Sequence, residues 1–327
     1  MTEWEKITFD ENPDIRIGIS SCLLGENVRF NGGHAHDSFT TTTLGPYVEW
    51  HPICPEVDIG MGTPRENIRL VRDGKDTIRL IGPKSGTDYT ERMRVYARER
   101  TDSLTDEGLH GYILKKNSPS CGMERVKVYD QNDVPQRTGR GLFASALIDR
   151  FPHLPVEEEG RLRDTHIREN FIERIFAYYR LQKFLESAPS TGDLVEFHTR
   201  HKLTMLSHNQ ERYREMGRLV AGAGEQDPET VLENYASKYM HTLKSHATRE
   251  NHTNVLHHIL GYFKDDIDRG DKEELVSVID NYREGLVPLV VPLTLLKHHL
   301  RRHTVGWLEN QVYLTPYPKE FMLRNII

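Results

Sequence analysis

Four short apolar runs constrain the first part of this chain more than any other feature. IRIGIS (15–20), YVEWHPI (47–53), TIRLIG (77–82) and GYILK (111–115) are rich in Ile, Val, Leu and Tyr. They are too brief for helices and predict strands. Between the last two lies TDYTERMRVYARERTDSLTDEG, where Thr87 or Asp88 is placed to cap a helix carrying Met93, Ala97 and Leu104 on one face. A second helix is expected in GRGLFASALIDRFP. Strand–helix–strand alternation predicts an α/β domain built on a mainly parallel sheet.

The pattern changes near residue 151. FPHLPVEEEGRL combines two prolines with an acidic run and reads as a linker. Beyond it, apolar residues recur every three or four positions, as at Ile167, Phe171, Ile175, Tyr178 and Leu181. DLVEFHTRHKLTMLSHNQERYREMGRLVAG reads as one long amphipathic stretch. Asp227 and Pro228 form a cap followed by a first-turn proline. The expectation is therefore two domains, 1–152 and 153–327, the second all-α with about six helices. Net charge is −6, which gives no global signature for nucleic acid, so any such contact needs a local patch. No run approaches the ~18 apolar residues of a membrane span. MTEWEKITFDENPD has no apolar signal region, which predicts a cytoplasmic protein.

The chain has three cysteines, Cys22, Cys54 and Cys121. An odd number in a reducing compartment argues against a disulfide framework. Each follows a predicted strand: SSCLLG after IRIGIS, ICPEV at the end of YVEWHPI, and SPSCG beyond GYILK. In an open parallel sheet the carboxyl ends of the strands share one edge, where ligands bind, so these thiols are expected to converge. The plainer alternative is that each is a small core residue. No C-x-x-C pair exists, which excludes the usual zinc-ribbon and ferredoxin spacings. Zinc on three thiolates and a histidine remains open, as does a 4Fe–4S cluster held by three cysteines with one iron left vacant. A vacant iron suits a soft sulfur donor.

ISSCLLGENVRFNGGH, HPICPEVDIGMGTPRENIRL and SPSCG, in that order, resemble the thiouracil desulfurase family over about residues 14–150. EFHTRHKLTMLSHN and YLTPYPKEFMLRN are similar to a helical domain often fused to such desulfurases. The resemblance implies a 4Fe–4S cluster on Cys22, Cys54 and Cys121, with Glu56 and Ser118 as catalytic residues beside the substrate. It implies non-redox, hydrolytic conversion of C=S to C=O with release of sulfide. The fused architecture resembles enzymes acting on 4-thiouridine in tRNA. Free thiouracil or a thionucleoside is the alternative substrate, and a non-enzymatic iron–sulfur or metal sensor the alternative class. A homo-oligomer is also open.

Glu56 is the candidate base, although a carboxylate here could instead cap the next segment or pair with Arg65 or Arg69. Ser118 could hydrogen-bond the pyrimidine or serve only as a turn residue. Ser21, Arg29, His34 and Asp37 are candidate substrate-binding residues. In the second half, where 13 of the 17 histidines fall, HTRHK and LKHHLRRH supply candidate RNA contacts: Arg200, Lys202, Lys297, Arg301 and Arg302. The same charges also fit an ordinary solvated helix face. His198 and His201 are spaced for a metal, but no acidic or cysteine partner accompanies them in sequence.

Overall fold

The computed structural model describes residues 13–74, 77–263, 266–303 and 305–325. Two compact units divide between Asp164 and Thr165.

In the first unit, β1 (Arg16–Ser20) pairs in parallel with β2 (Glu49–Ile53). A second sheet begins with β3 (Arg69–Arg72), beside which β4 (Ile78–Ile81) returns antiparallel. β5 (Gly111–Leu114) pairs in parallel with the other side of β1. β6 (Val126–Tyr129) lies parallel to β3, and β7 (Pro135–Gly139) closes that sheet antiparallel to β6. β8 (Val156–Glu158) completes the first sheet in parallel with β5. The orders are β2-β1-β5-β8, wholly parallel, and β4-β3-β6-β7. β1 and β5 are central and almost wholly buried, which is why they read as unbroken apolar runs. Each buried Ile or Leu there contributes about 1.5–3 kcal/mol of transfer free energy. The α-helices of this unit among the described residues are α1 (Pro55–Asp58), α2 (Thr90–Glu107) and α3 (Leu142–Arg150), the last two packed on each other. The N-cap residue of α2 is Tyr89, which makes no side-chain cap, rather than Thr87 or Asp88; Asp88, one place earlier, accepts the Thr90 backbone N–H at 2.9 Å.

Two expectations are corrected. TIRLIG is a strand, but it does not join the parallel sheet; it pairs antiparallel with its sequence neighbour β3, a contact that a short connection makes local. The segment read as a linker contains β8. Its carboxylates are buried because each has a partner: Glu158 accepts the Met123 N–H at 2.7 Å, Glu159 pairs with Lys115 at 2.5 Å, and Glu157 pairs with Arg161 at 2.7 Å. The boundary between units therefore lies later than 152.

The second unit is helical: α4 (Thr165–Glu186), α5 (Thr191–His208), α6 (Gln210–Ala221), α7 (Pro228–Leu243), α8 (Arg249–Tyr262), α9 (Arg269–Arg283), α10 (Val290–Arg302) and the short α11 (Gly306–Glu309). The long stretch expected as one amphipathic run breaks at Asn209, which is extended and accepts the Arg212 N–H at 2.9 Å to cap α6. Asp227 caps α7 as its sequence suggests. Among the described residues one core gathers around Phe184, Phe197, Tyr235 and Tyr239, and another around Leu256, Ile259, Leu275 and Leu296. Among the described residues no helix is long and apolar enough to cross a membrane.

Candidate active site

β1 lies between β2 and β5, all three running the same way, so the loops at their carboxyl ends emerge on one edge of the sheet. Cys22 sits in the 3-10 turn Ser21–Leu24 directly after β1. Cys54 follows β2 and is the N-cap residue of α1. Cys121 lies in the SPSCG loop beyond β5. All three border a single cavity of about 360 Å³. Glu56, Ser118, Ser21 and Arg29 border it too, together with Ser20, Arg65, Asn67 and Lys115.

Burial pushes the Cys22 thiol up to about 11, against the pull of Lys115. It likewise raises Cys54 and, most strongly, Cys121, where the Glu56 carboxylate adds to the effect. No group of three His, Cys, Asp or Glu side chains among the described residues is arranged to hold a metal ion.

Glu56 is held from both sides. Its Oε2 receives Arg65 Nε at 3.1 Å and Nη2 at 2.5 Å. Its Oε1 receives the Ser120 hydroxyl at 3.0 Å and the Ser118 hydroxyl at 3.4 Å. The Arg65 side chain is only 4% exposed, so this ion pair is shielded from water. Ser118 does structural work as well: its oxygen accepts the backbone N–H groups of Ser120 and Cys121 at 3.2 and 3.0 Å. That closes the turn carrying Cys121. The turn is packed so tightly that a Cβ on Gly122 would come within 2.8 Å of the Ser118 carbonyl, and one on Gly141 within 2.3 Å of the Ser120 carbonyl. Only glycine admits that approach.

Two expected substrate residues lie elsewhere. His34 is exposed and does not border the cavity; its Nδ1 faces the His36 N–H at 3.2 Å. Asp37 is outside as well, its carboxylate occupied by the Thr40 N–H and hydroxyl at 3.0 and 2.8 Å. Ser120 and Lys115 are not among the site residues expected from sequence, whereas Arg65 does pair with Glu56, the alternative raised for that carboxylate. Ser120 had a visible signal, standing two residues past Ser118 in the same loop.

In the helical unit, Arg200 is buried and paired with Glu196 at 2.7 Å, which removes it from any surface offered to phosphate. Lys202 lies 3.8 Å above the Trp307 ring, and Lys297 is half-buried against Thr315. Arg301 and Arg302 are exposed in the last turn of α10. His198 and His201 pack in the aromatic core, His201 stacking on Phe197 at 4.0 Å and His198 on Tyr213 at 6.0 Å.

The arrangement of the first unit, with thiols, a clamped carboxylate and one cavity at the edge of a parallel sheet, falls in a known class. The chain belongs to the 2-thiouracil desulfurase family, whose model matches residues 17–159, and it carries a second region, residues 202–318, matching a protein of unknown function (DUF1722). Among its relatives is the uncharacterized protein YbgA of Escherichia coli (strain K12), 35% identical over 153 residues, which are 46% of this chain and 90% of that one. Another is the uncharacterized protein YbbK of Bacillus subtilis (strain 168), 35% identical over 136 residues, 40% of this chain and 88% of that one. A solved structure similar in sequence is the [4Fe-4S]-dependent thiouracil desulfidase TudS, 27% identical, covering 46% of this chain and 95% of its own, with a TM-score of 0.36.

Proposed function

We propose that this protein removes sulfur from a thiolated pyrimidine by hydrolysis, exchanging C=S for C=O with release of sulfide, and that its substrate is 4-thiouridine in tRNA. The observation that carries the reading is that Cys22, Cys54, Cys121 and Glu56 border one cavity. The donor set fits a 4Fe–4S cluster better than a lone ion. Three soft thiols border one cavity, and no histidine is among the residues lining it. Burial disfavours bare thiolates here, and a cationic inorganic core supplies the compensation that ionised sulfur needs. When bound on three cysteines, the cluster supplies a Lewis-acidic iron open to a soft sulfur donor.

The protein's own groups do the rest. The Glu56 carboxylate takes a proton from the water that adds to the thiocarbonyl carbon. Arg65 and Ser120 fix which way that carboxylate faces. Ser118, already directed at Glu56 and at the Cys121 turn, keeps base and cluster in register. The C–S bond breaks, water's oxygen stays on the ring, and both of its protons leave with sulfide or pass through Glu56, so no electrons are exchanged. The exposed Arg301 and Arg302 provide phosphate contacts in the helical unit.

The test is sulfide release by anaerobically purified, brown protein from thiolated tRNA and from free 2-thiouracil. Turnover of tRNA that falls when Arg301 and Arg302 are replaced by alanine, with turnover of the free base unchanged, supports the RNA substrate. Turnover of free 2-thiouracil alone overturns it. Colourless, inactive protein after anaerobic cluster reconstitution overturns the enzyme.

A further inference from the structure

The helical unit holds a second cavity, about 80 Å³, bordered by Glu169, Asn170, Glu173, Arg249, Tyr282 and Arg324, among others. Its deepest groups are charged and incompletely bonded. The Glu173 side chain is 5% exposed and that of Arg324 is 9% exposed. His208 Nε2 lies 3.1 Å from Glu173 Oε2, but among the described residues no donor reaches Oε1. Arg324 Nη1 donates to the Tyr313 carbonyl at 2.6 Å, while Nε and Nη2 have no hydrogen-bond acceptor among the described residues. The nearest carboxylate oxygens, Glu169 Oε1 to Nε and Glu173 Oε1 to Nη2, are each 3.7 Å away.

Leaving such a group unbonded costs about 1–3 kcal/mol, and more when it is charged. Here one acceptor and two donors stand side by side. Neutralisation does not relieve the cost: burial alone would raise Glu173, but the His208 hydrogen bond and the charges of His208 and Arg324 hold it down at about 2. The free edge of Arg324, Nε with Nη2, is the fork that binds a planar carboxylate through two parallel hydrogen bonds. The free Glu173 oxygen beside it requires a donor, best a cationic one. The lining sets the two carboxylates of Glu169 and Glu173 against the two guanidinium groups of Arg249 and Arg324, with His166, His208, His246 and His252 besides, so a ligand that carries both signs meets partners of both signs. By the same measure of volume one water needs about 10–15 Å³, so the cavity has room for about six small heavy atoms.

We propose that this cavity binds a small α-amino acid as its zwitterion, the carboxylate on the Arg324 fork and the ammonium on Glu173. The two groups sit on one carbon in such a ligand and match wall groups that are close but not bonded to each other. Tyr282 and Leu289 offer an apolar wall to a short side chain.

Isothermal titration of the full chain with glycine, alanine, serine and cysteine tests the proposal, with acetate, methylamine, inorganic phosphate and GMP as comparisons. At least one amino acid is expected to bind about tenfold or more tighter than acetate or methylamine, each of which carries half of the recognition. Arg324→Lys, which keeps the charge and loses the fork, is expected to weaken that amino acid about tenfold. If the variant does not fold, the comparison among ligands on the unaltered protein decides alone. No amino acid binding up to about 10 mM overturns the proposal. So does preferential binding of phosphate or GMP, or a crystal structure grown with the amino acids in which water alone bridges Glu173 and Arg324.

Discussion

The two units handle their most reactive side chains in opposite ways. In the α/β unit, three thiols far apart in sequence reach one cavity because their strands are parallel neighbours. In the helical unit, His198 and His201 are three residues apart and pack among aromatic rings, His201 Nδ1 bonded to the Phe197 carbonyl at 2.7 Å and His198 Nδ1 to the Tyr235 hydroxyl at 3.4 Å, while Glu173, His208 and Arg324, drawn from distant positions, meet around a pocket. Nearness along the chain is therefore a poor guide to shared chemistry. The topology that orders the elements is the better one.

The largest test of that contrast is to exchange the two sets. Cys22→Ser, Cys54→Ser and Cys121→Ser are each expected to lose the brown colour and to lower sulfide release by at least about 100-fold. His198→Gln and His201→Gln should leave iron content and turnover per cluster unchanged while lowering the thermal midpoint. Iron analysis alongside activity checks both. A histidine variant that loses iron would break the comparison.

Next in size is the carboxylate. Glu56→Gln is expected to lower kcat by about 10²–10⁴-fold with the cluster retained. Ser120→Ala, which frees Oε1 on one side only, should cost about tenfold. Loss of the cluster in either variant, seen by absorbance, would make these residues structural supports for the Cys121 turn instead.

Acid should separate the units. Burial lowers His198 to about 4 and both His201 and His252 to about 3. In the unfolded chain these histidines take up protons below about 6.5, so between there and about 4 the unfolded state binds more protons. Stability then falls as pH falls, by up to about 1.4 kcal/mol per pH unit for each histidine. Glu173 adds a further loss between its unfolded range and about 2. Hydrogen exchange at pH 7 and pH 5 should show protection dropping in α5 and α8 before it drops in β1 and β5, which carry no such groups.

The smallest effects are expected on the surface. Replacing Arg301 and Arg302 by alanine should change stability by no more than about 0.5 kcal/mol and reduce the salt slope of tRNA binding by about two. Arg200→Ala should do the reverse, lowering stability without altering that slope, because its guanidinium is buried against Glu196.

What was legible in the sequence follows the same physics. β1, β5 and the cap at Asp227 are local signals, written in runs of apolar residues and a single side chain, and they are visible without coordinates. The convergence of Cys22, Cys54 and Cys121 was legible because a parallel sheet puts all strand ends of one sense on one edge. The β8 strand was not, since VEEE looks solvated until Met123, Lys115 and Arg161 are known to stand opposite. Asp37 and His34 misled for the converse reason: a polar loop beside a cysteine motif can spend its polarity on its own backbone. The break at Asn209 needs the partner N–H of Arg212 to be recognised as a cap.

The buried acidic strand has a further bearing on assembly. Met123, two places beyond the last thiol, is anchored by Glu158, and Lys116, at the entrance to the same loop, gives its backbone N–H to Glu159 at 2.8 Å. A polypeptide ending at residue 152 would contain all three cysteines yet lack the brace that seats the third. Loading of the proposed cluster is therefore expected to require the chain as far as the start of the second unit, and a first unit trimmed at the change in composition should take up iron poorly however it is supplied.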